Sequence, residues 1–138
     1  MNAQNLNIEA TLDNLPQVLQ FVESYLEAAE CPLKAQMHIN LAVEEIFVNI
    51  SSYAYAPGTG DAVIRLETEE DPAAVILTFI DHGVPYDPLA KADPDISLPA
   101  GERQIGGLGI FLTKKTMDDV TYEYRDGQNI LHLKKLFR

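Results

Sequence analysis

Residues 73–80, Ala-Ala-Val-Ile-Leu-Thr-Phe-Ile, make up a nearly continuous apolar run that ends on Asp81-His82-Gly83, and this run constrains the fold more than any other segment. A stretch of this length and composition, bounded by turn residues, reads as a central strand. A central strand needs neighbours, and the chain supplies them. Residues 62–67 alternate apolar and polar, and Glu69-Glu70-Asp71-Pro72 reads as the hairpin loop joining them to the central run. Residues 120–124 and 130–136 are two more strand candidates, linked by a turn over Arg125-Asp126-Gly127-Gln128-Asn129. Near the start, Leu6, Ile8 and Ala10 alternate with polar residues and suggest a short half-buried strand.

Helical periodicity fills the gaps. Leu15, Val18, Leu19, Val22 and Leu26 mark one buried stripe, with Asp13 or Asn14 as the expected cap and Pro16 in the first turn. Glu30-Cys31-Pro32 ends that helix. A second is expected from Pro32 to about Tyr55, with Ala42, Ile46 and Ile50 inward, stopped by Ala56-Pro57-Gly58-Thr59-Gly60. Residues 109–117 form a short third helix. Between them, residues 84–104 are rich in Pro, Asp and Ala without periodicity, the kind of irregular stretch that serves function or moves. The order β-α-α-β-β-loop-α-β-β predicts an α+β fold. Its form is a two-layer sandwich, helices on one face of a mixed, mostly antiparallel sheet, with residues 1–138 as one domain.

Charge and cysteine content narrow the function. The formal net charge of −11 would repel a phosphate backbone and argues against nucleic-acid binding. Seven of the ten basic residues fall between positions 103 and 138, so Arg103, Lys114 and Lys115 are the cations available to compensate an anionic ligand near Gly106. The single cysteine, Cys31, excludes an internal disulfide and fits a reducing compartment; a small residue near a helix start is its expected role. No apolar run is long enough to cross a membrane. The first residues lack a signal-peptide pattern, so the expected location is cytoplasmic.

Three patches carry chemistry. Glu45 and Asn49 lie four apart, so a helix projects a carboxylate and an amide oxygen from one face, a turn apart. Asn49 can donate an oxygen to magnesium, and Glu45 can act as base toward a hydroxyl attacking a γ-phosphate. Glu44 points about 100° away and is the weaker candidate. Asp81, closing the central strand, can accept a hydrogen bond from an exocyclic amine such as that of adenine. Gly83 lets backbone approach a flat base, and Pro85 fixes the exit of the chain. His82 is expected to face solvent. Gly106, Gly107 and Gly109 precede a helix, where bare amides and the helix dipole favour an anion. With neither Gly-Lys-Ser/Thr nor a strand feeding G-x-G-x-x-G, this is no P-loop and no Rossmann fingerprint.

In this order the patches resemble the ATP site of the GHKL (Bergerat-fold) family. Residues 41–49, Leu-Ala-Val-Glu-Glu-Ile-Phe-Val-Asn, look like its N box; Asp81-His82-Gly83-Val84-Pro85-Tyr86-Asp87-Pro88 looks like its D-x-G-x-P-F-[DN]-P variant. Gly106-Gly107-Leu108-Gly109-Ile110-Phe111-Leu112, followed by Met117-Asp118, looks like its second glycine box. Within the family, these variants are most similar to the bacterial anti-sigma-factor serine kinases. The resemblance implies Glu45 as catalytic base, Asn49 as Mg2+ ligand and Asp81 as adenine contact. It also implies a pocket for ATP shaped by Gly83, Pro85, Gly106, Gly107, Leu108, Gly109 and Ile110, with residues 87–105 as a lid from which Arg103 contacts the γ-phosphate. It further implies a small STAS-type antagonist as phosphoacceptor, a sigma factor as second partner, and a homodimer. One departure stands out: Tyr53 occupies the place of the family's usual His. Two functions follow, a serine protein kinase acting as an anti-sigma factor, or a catalytically inactive ATP-binding interaction module.

Overall fold

The computed structural model describes residues 3–90 and 107–137. Strand β1 (Gln4–Glu9) leads to helices α1 (Leu15–Ala28) and α2 (Leu33–Asn49). Strands β2 (Asp61–Glu69) and β3 (Ala74–Asp81) follow, then helix α3 (Gly107–Thr116) and strands β4 (Asp119–Arg125) and β5 (Gln128–Leu136). The strands form one sheet in the order β1-β2-β3-β5-β4. All four pairings are antiparallel, so no parallel pair of the kind a mixed sheet allows occurs among the described residues. The apolar run sits third in the sheet, hydrogen-bonded to β2 on one side and β5 on the other.

Burial follows from the alternation of strand side chains. Val75, Leu77 and Phe79 of β3, Ile64 and Leu66 of β2, and Leu131 and Leu133 of β5 share one core with Val18, Val22 and Leu26 of α1 and Ile39, Val43, Ile46 and Phe47 of α2. The other face of the sheet is mixed, with Ile76 and Ile80 of β3 and Ile130 of β5 beside polar side chains. There Thr78 Oγ1 lies 3.0 Å from His132 Nδ1, its direct cross-strand neighbour, and Lys134 reaches Glu69 at 3.0 Å.

Helix boundaries show where local rules yield. Asn14 makes no capping bond. Residues 12–14 already form a 3-10 turn, so its backbone is helical (φ −92°, ψ −2°), and its side chain instead donates to the Glu9 carbonyl at 2.8 Å. A cap needs an extended backbone, which here belongs to Thr11 (φ −128°, ψ 153°). Helix α1 ends with Glu30 in the left-handed region (φ 59°) and Cys31 N–H bonded to Leu26 O at 3.0 Å, a closure glycine usually provides. Cys31 is buried, which pushes its thiol up to about 11 and keeps it protonated, in keeping with a packing role. Helix α2 continues through a wider π-helical turn, Ile50–Ala54, so helical backbone reaches almost to the expected end. The β4–β5 turn is tighter than expected. Asp126 (φ 55°) and Gly127 (φ 77°) suffice as a two-residue hairpin, and Asn129 thereby becomes a strand residue facing Asp81. Among the described residues no helix is long and apolar enough to cross a membrane.

Candidate functional site

A cleft opens between the end of α2, the end of β3 and the start of α3. Ile46, Ile50, Ala54, Phe79, Ile110 and Leu131 give it apolar walls; Asp81 and Asn129 supply polar groups, and Asn49, Tyr86 and Pro88 complete the lining. Its enclosed volume is only about 40 Å³, below the range of small-molecule sites, so a ligand of nucleotide size would have to widen it.

Asp81 is only 5% exposed. Its Oδ1 accepts from Gly83 N–H at 2.9 Å and from Asn129 Nδ2 at 2.8 Å, and neither bond engages Oδ2. Apolar walls around one oriented carboxyl oxygen suit a flat heterocycle carrying an amino group. Gly83 acts behind the wall rather than in it. A Cβ there would overlap the carbonyl oxygen of Ala54, and that same oxygen accepts Val84 N–H at 2.9 Å. Close backbone contact between the π-helical turn and the chain leaving β3 therefore requires glycine. Tyr55 reinforces the junction: its hydroxyl donates to Asp61 O at 2.6 Å and accepts His82 N–H at 2.8 Å. Burial raises the Tyr55 and Tyr122 hydroxyls above the ordinary phenol value, so both remain donors.

Glu45 and Asn49 take different sides. Asn49 lines the cleft, whereas Glu45 lines an adjoining groove between α2 and α3 with Leu41, Val48, Gly109 and Leu112. A Cβ at Gly109 would overlap the Glu45 carboxyl group, so glycine there is what gives the carboxylate its place. Glu44 is exposed and borders this groove as well as a second one with Met37 and Asn40. Gly107 and Leu108 belong to the first turn of α3, and Ile110 is buried in the cleft wall. Pro85 is exposed in a separate groove with His82, Val84 and Tyr124. Arg103, Gly106 and most of the lid lie outside the described residues. Lys114 and Lys115 stand in the last turn of α3, about 10 Å along the axis from Gly107, and Lys115 lies 5.5 Å from the Phe111 ring centre. That end of α3 is the wrong one for an anion held at its N-terminus. Tyr53 is half exposed and stacks on Tyr86, ring centres 5.7 Å apart.

Sequence reasoning misses Asn129, because it places this residue in a turn. Its only local signal is a polar residue leading an alternating strand; its partner Asp81 is 48 positions away. Tyr86 and Tyr122, which bond the same amide, carry no local signal of that role either.

The donor set suits a purine nucleotide and a divalent cation. The oriented carboxyl suits the base, and Asn49 offers a hard oxygen of the kind Mg2+ takes when substrate phosphates and waters fill most of its coordination sphere.

Residues 8–135 match the histidine kinase-like ATPase domain family. The serine/threonine-protein kinase BtrW of Bordetella bronchiseptica is 28% identical over 128 residues, covering 93% of this chain and 89% of that protein. The crystal structure of the RsbU and RsbW domains of a Mycobacterium tuberculosis protein superposes with a TM-score of 0.70 at 15% identity. It covers 100% of this chain, which spans 33% of the larger one. A chain of the SiaB–SiaC complex of Pseudomonas aeruginosa superposes with a TM-score of 0.59 at 18% identity, covering 96% of this chain and 89% of its own. These structural likenesses establish the shared α+β fold.

Proposed function

This chain belongs to the histidine kinase-like ATPase domain family, and from that premise we propose that it is an ATP-dependent serine protein kinase acting as an anti-sigma factor. Its substrate would be a small STAS-type antagonist protein, with a sigma factor as the alternative partner and a homodimer as the assembly. The observation that carries the reading is the layout of α2. One helix presents Asn49 to the base-binding cleft and, a turn earlier, Glu45 to a groove open to a second molecule.

In this reading Asp81 Oδ2 accepts the 6-amino group of adenine, and the walls formed by Ile46, Ile50, Phe79 and Leu131 sandwich the ring. The amides that open α3 at Gly107 and, beyond the described residues, Gly106 and Arg103 receive the phosphates. Mg2+ bound through Asn49 would neutralise charge developing on the transferred phosphoryl group. The acceptor serine approaches along the α2–α3 groove. Glu45 takes its hydroxyl proton as the oxygen bonds to the γ-phosphorus; the bond from that phosphorus to the β–γ bridging oxygen breaks, and ADP leaves.

The outer face of α2 supports a protein rather than a small acceptor. Leu33, Met37 and Leu41 are 74%, 58% and 62% exposed and recur every four residues in a row that continues to Glu45. Leu112, 47% exposed, borders the same groove. A helix apolar on its outer as well as its inner face suits docking of another protein. The relative named a serine/threonine-protein kinase points the same way.

The test is incubation with γ-labelled ATP, magnesium and purified STAS-domain proteins from the same organism. The kinase reading predicts label on a serine of one of them. If ATP binds but every protein stays unlabelled, the inactive interaction module replaces it.

A further inference from the structure

Asn129 makes every hydrogen bond its side chain can make, and all are internal. Its Nδ2 donates to Asp81 Oδ1 at 2.8 Å and to Val84 O at 2.9 Å. Its Oδ1 accepts Tyr86 N–H at 3.1 Å and the Tyr122 hydroxyl. Two donors and two acceptors exhaust an amide, so this residue, though it lines the cleft and is 6% exposed, has nothing left for a ligand. Three separate pieces of the site meet on it: the carboxyl at the end of β3, the chain leaving that strand, and the tyrosine from β4. The hydroxyl of Tyr122 also lies 3.3 Å from Tyr86 N, which closes the bracket.

We propose that Asn129 is the positioning residue for base selectivity, holding the Asp81 carboxyl in the one rotation that offers Oδ2 to a 6-amino purine. The inference rests on the nucleotide-site reading above and extends it to a residue that reading leaves unassigned. A carboxyl group rotates about its Cβ–Cγ bond through a broad, roughly two-fold torsional well. Here Oδ1 is held from two directions, by Gly83 N–H and by Asn129 Nδ2, and the second hold comes from across the sheet. Removing it frees the carboxyl to turn, so the acceptor no longer meets an amino group squarely. A purine with oxygen at position 6 has no donor there, so it gains nothing from that rotation of the carboxyl. The same amide pins Val84 O and Tyr86 N–H, so the aromatic wall contributed by Tyr86 is set by the residue that sets the carboxyl.

The experiment compares ATP with inosine triphosphate, which differs from it in carrying oxygen at position 6. Dissociation constants of both are measured for wild type, Asn129→Ala, Asp81→Asn and the double variant. Wild type should prefer ATP by about tenfold or more, the worth of a hydrogen bond to a charged group. Asn129→Ala should lose most of that preference, because ATP weakens severalfold more than inosine triphosphate, which feels only the looser Tyr86 wall. In the Asp81→Asn background the second change should leave the ratio where it is, because Asn129 acts through Asp81. Asn129→Ser, which keeps a short donor in place, should restore part of the preference and provides the comparison if the alanine variant does not fold. A bracket that only holds the fold would weaken both nucleotides alike and leave the ratio at its wild-type value, and that result would overturn the proposal. Wild type binding neither nucleotide, or both equally, would instead remove the nucleotide-site reading and this inference with it.

Discussion

Glu45→Gln should bind ATP about as tightly as wild type and transfer phosphate roughly a thousandfold more slowly, the usual worth of a positioned general base. The substitution keeps the size and most of the packing of the side chain, so a loss of rate reports the missing base rather than a disturbed helix. Gly109→Ala should mimic it by another route. The added methyl would occupy the space of the Glu45 carboxyl group, the flexible end of a side chain, so the fold yields cheaply while the base is displaced. Thermal stability close to wild type with transfer reduced about a hundredfold is the expected signature of a base moved from its place. Single-turnover transfer to the acceptor protein measures both variants. Full transfer by Glu45→Gln would remove the base assignment.

Gly83→Ala should do the opposite, harming the fold more than any chemistry. The new Cβ would overlap the backbone carbonyl of Ala54, with the carbonyl carbon only 2.5 Å away, and that oxygen is committed to Val84 N–H. Neither backbone can retreat without separating the π-helical turn from the end of β3. The cost should be about 3 kcal/mol, at the upper end of the range for overpacking a filled site. For a domain of this size the melting temperature then falls by roughly 10 °C. ATP should recover part of the lost stability, since ligand bound to the native state shifts the equilibrium toward it. Thermal melts with and without nucleotide read both effects. A variant melting with wild type would show that the close approach is not required.

Much of this architecture is legible in the chain because apolar periodicity is local. The run through Val75, Leu77 and Phe79 announces the central strand, and Val18, Val22 and Leu26 announce the inner stripe of α1. The bounds of every strand and helix fall within a few residues of the pattern. What periodicity does not carry is partnership across distance. Asn14 has the composition of a cap, but the 3-10 turn before it leaves its side chain better placed to bond Glu9 O. Asn129 resembles a turn residue until Asp126 and Gly127 close the hairpin by themselves and bring it opposite Asp81. The site divides in the same way. Spacing alone places Glu45 and Asn49 on one helix face, yet only the packing of α3 sends one to the groove and the other to the cleft. The exposed row Leu33, Met37, Leu41 is likewise ordinary helix composition until the core is known to lie on the other side.

The central claim is that Asn49 and Asp81 belong to a nucleotide site that works with magnesium. Calorimetric titration of wild type and Asn49→Ala with ATP, each with and without Mg2+, tests it most directly. The account predicts saturable binding by wild type that magnesium strengthens, and loss of most of that binding, including the magnesium-dependent part, in Asn49→Ala. No heat of binding by wild type at millimolar ATP, or an equal magnesium response in both proteins, would contradict it.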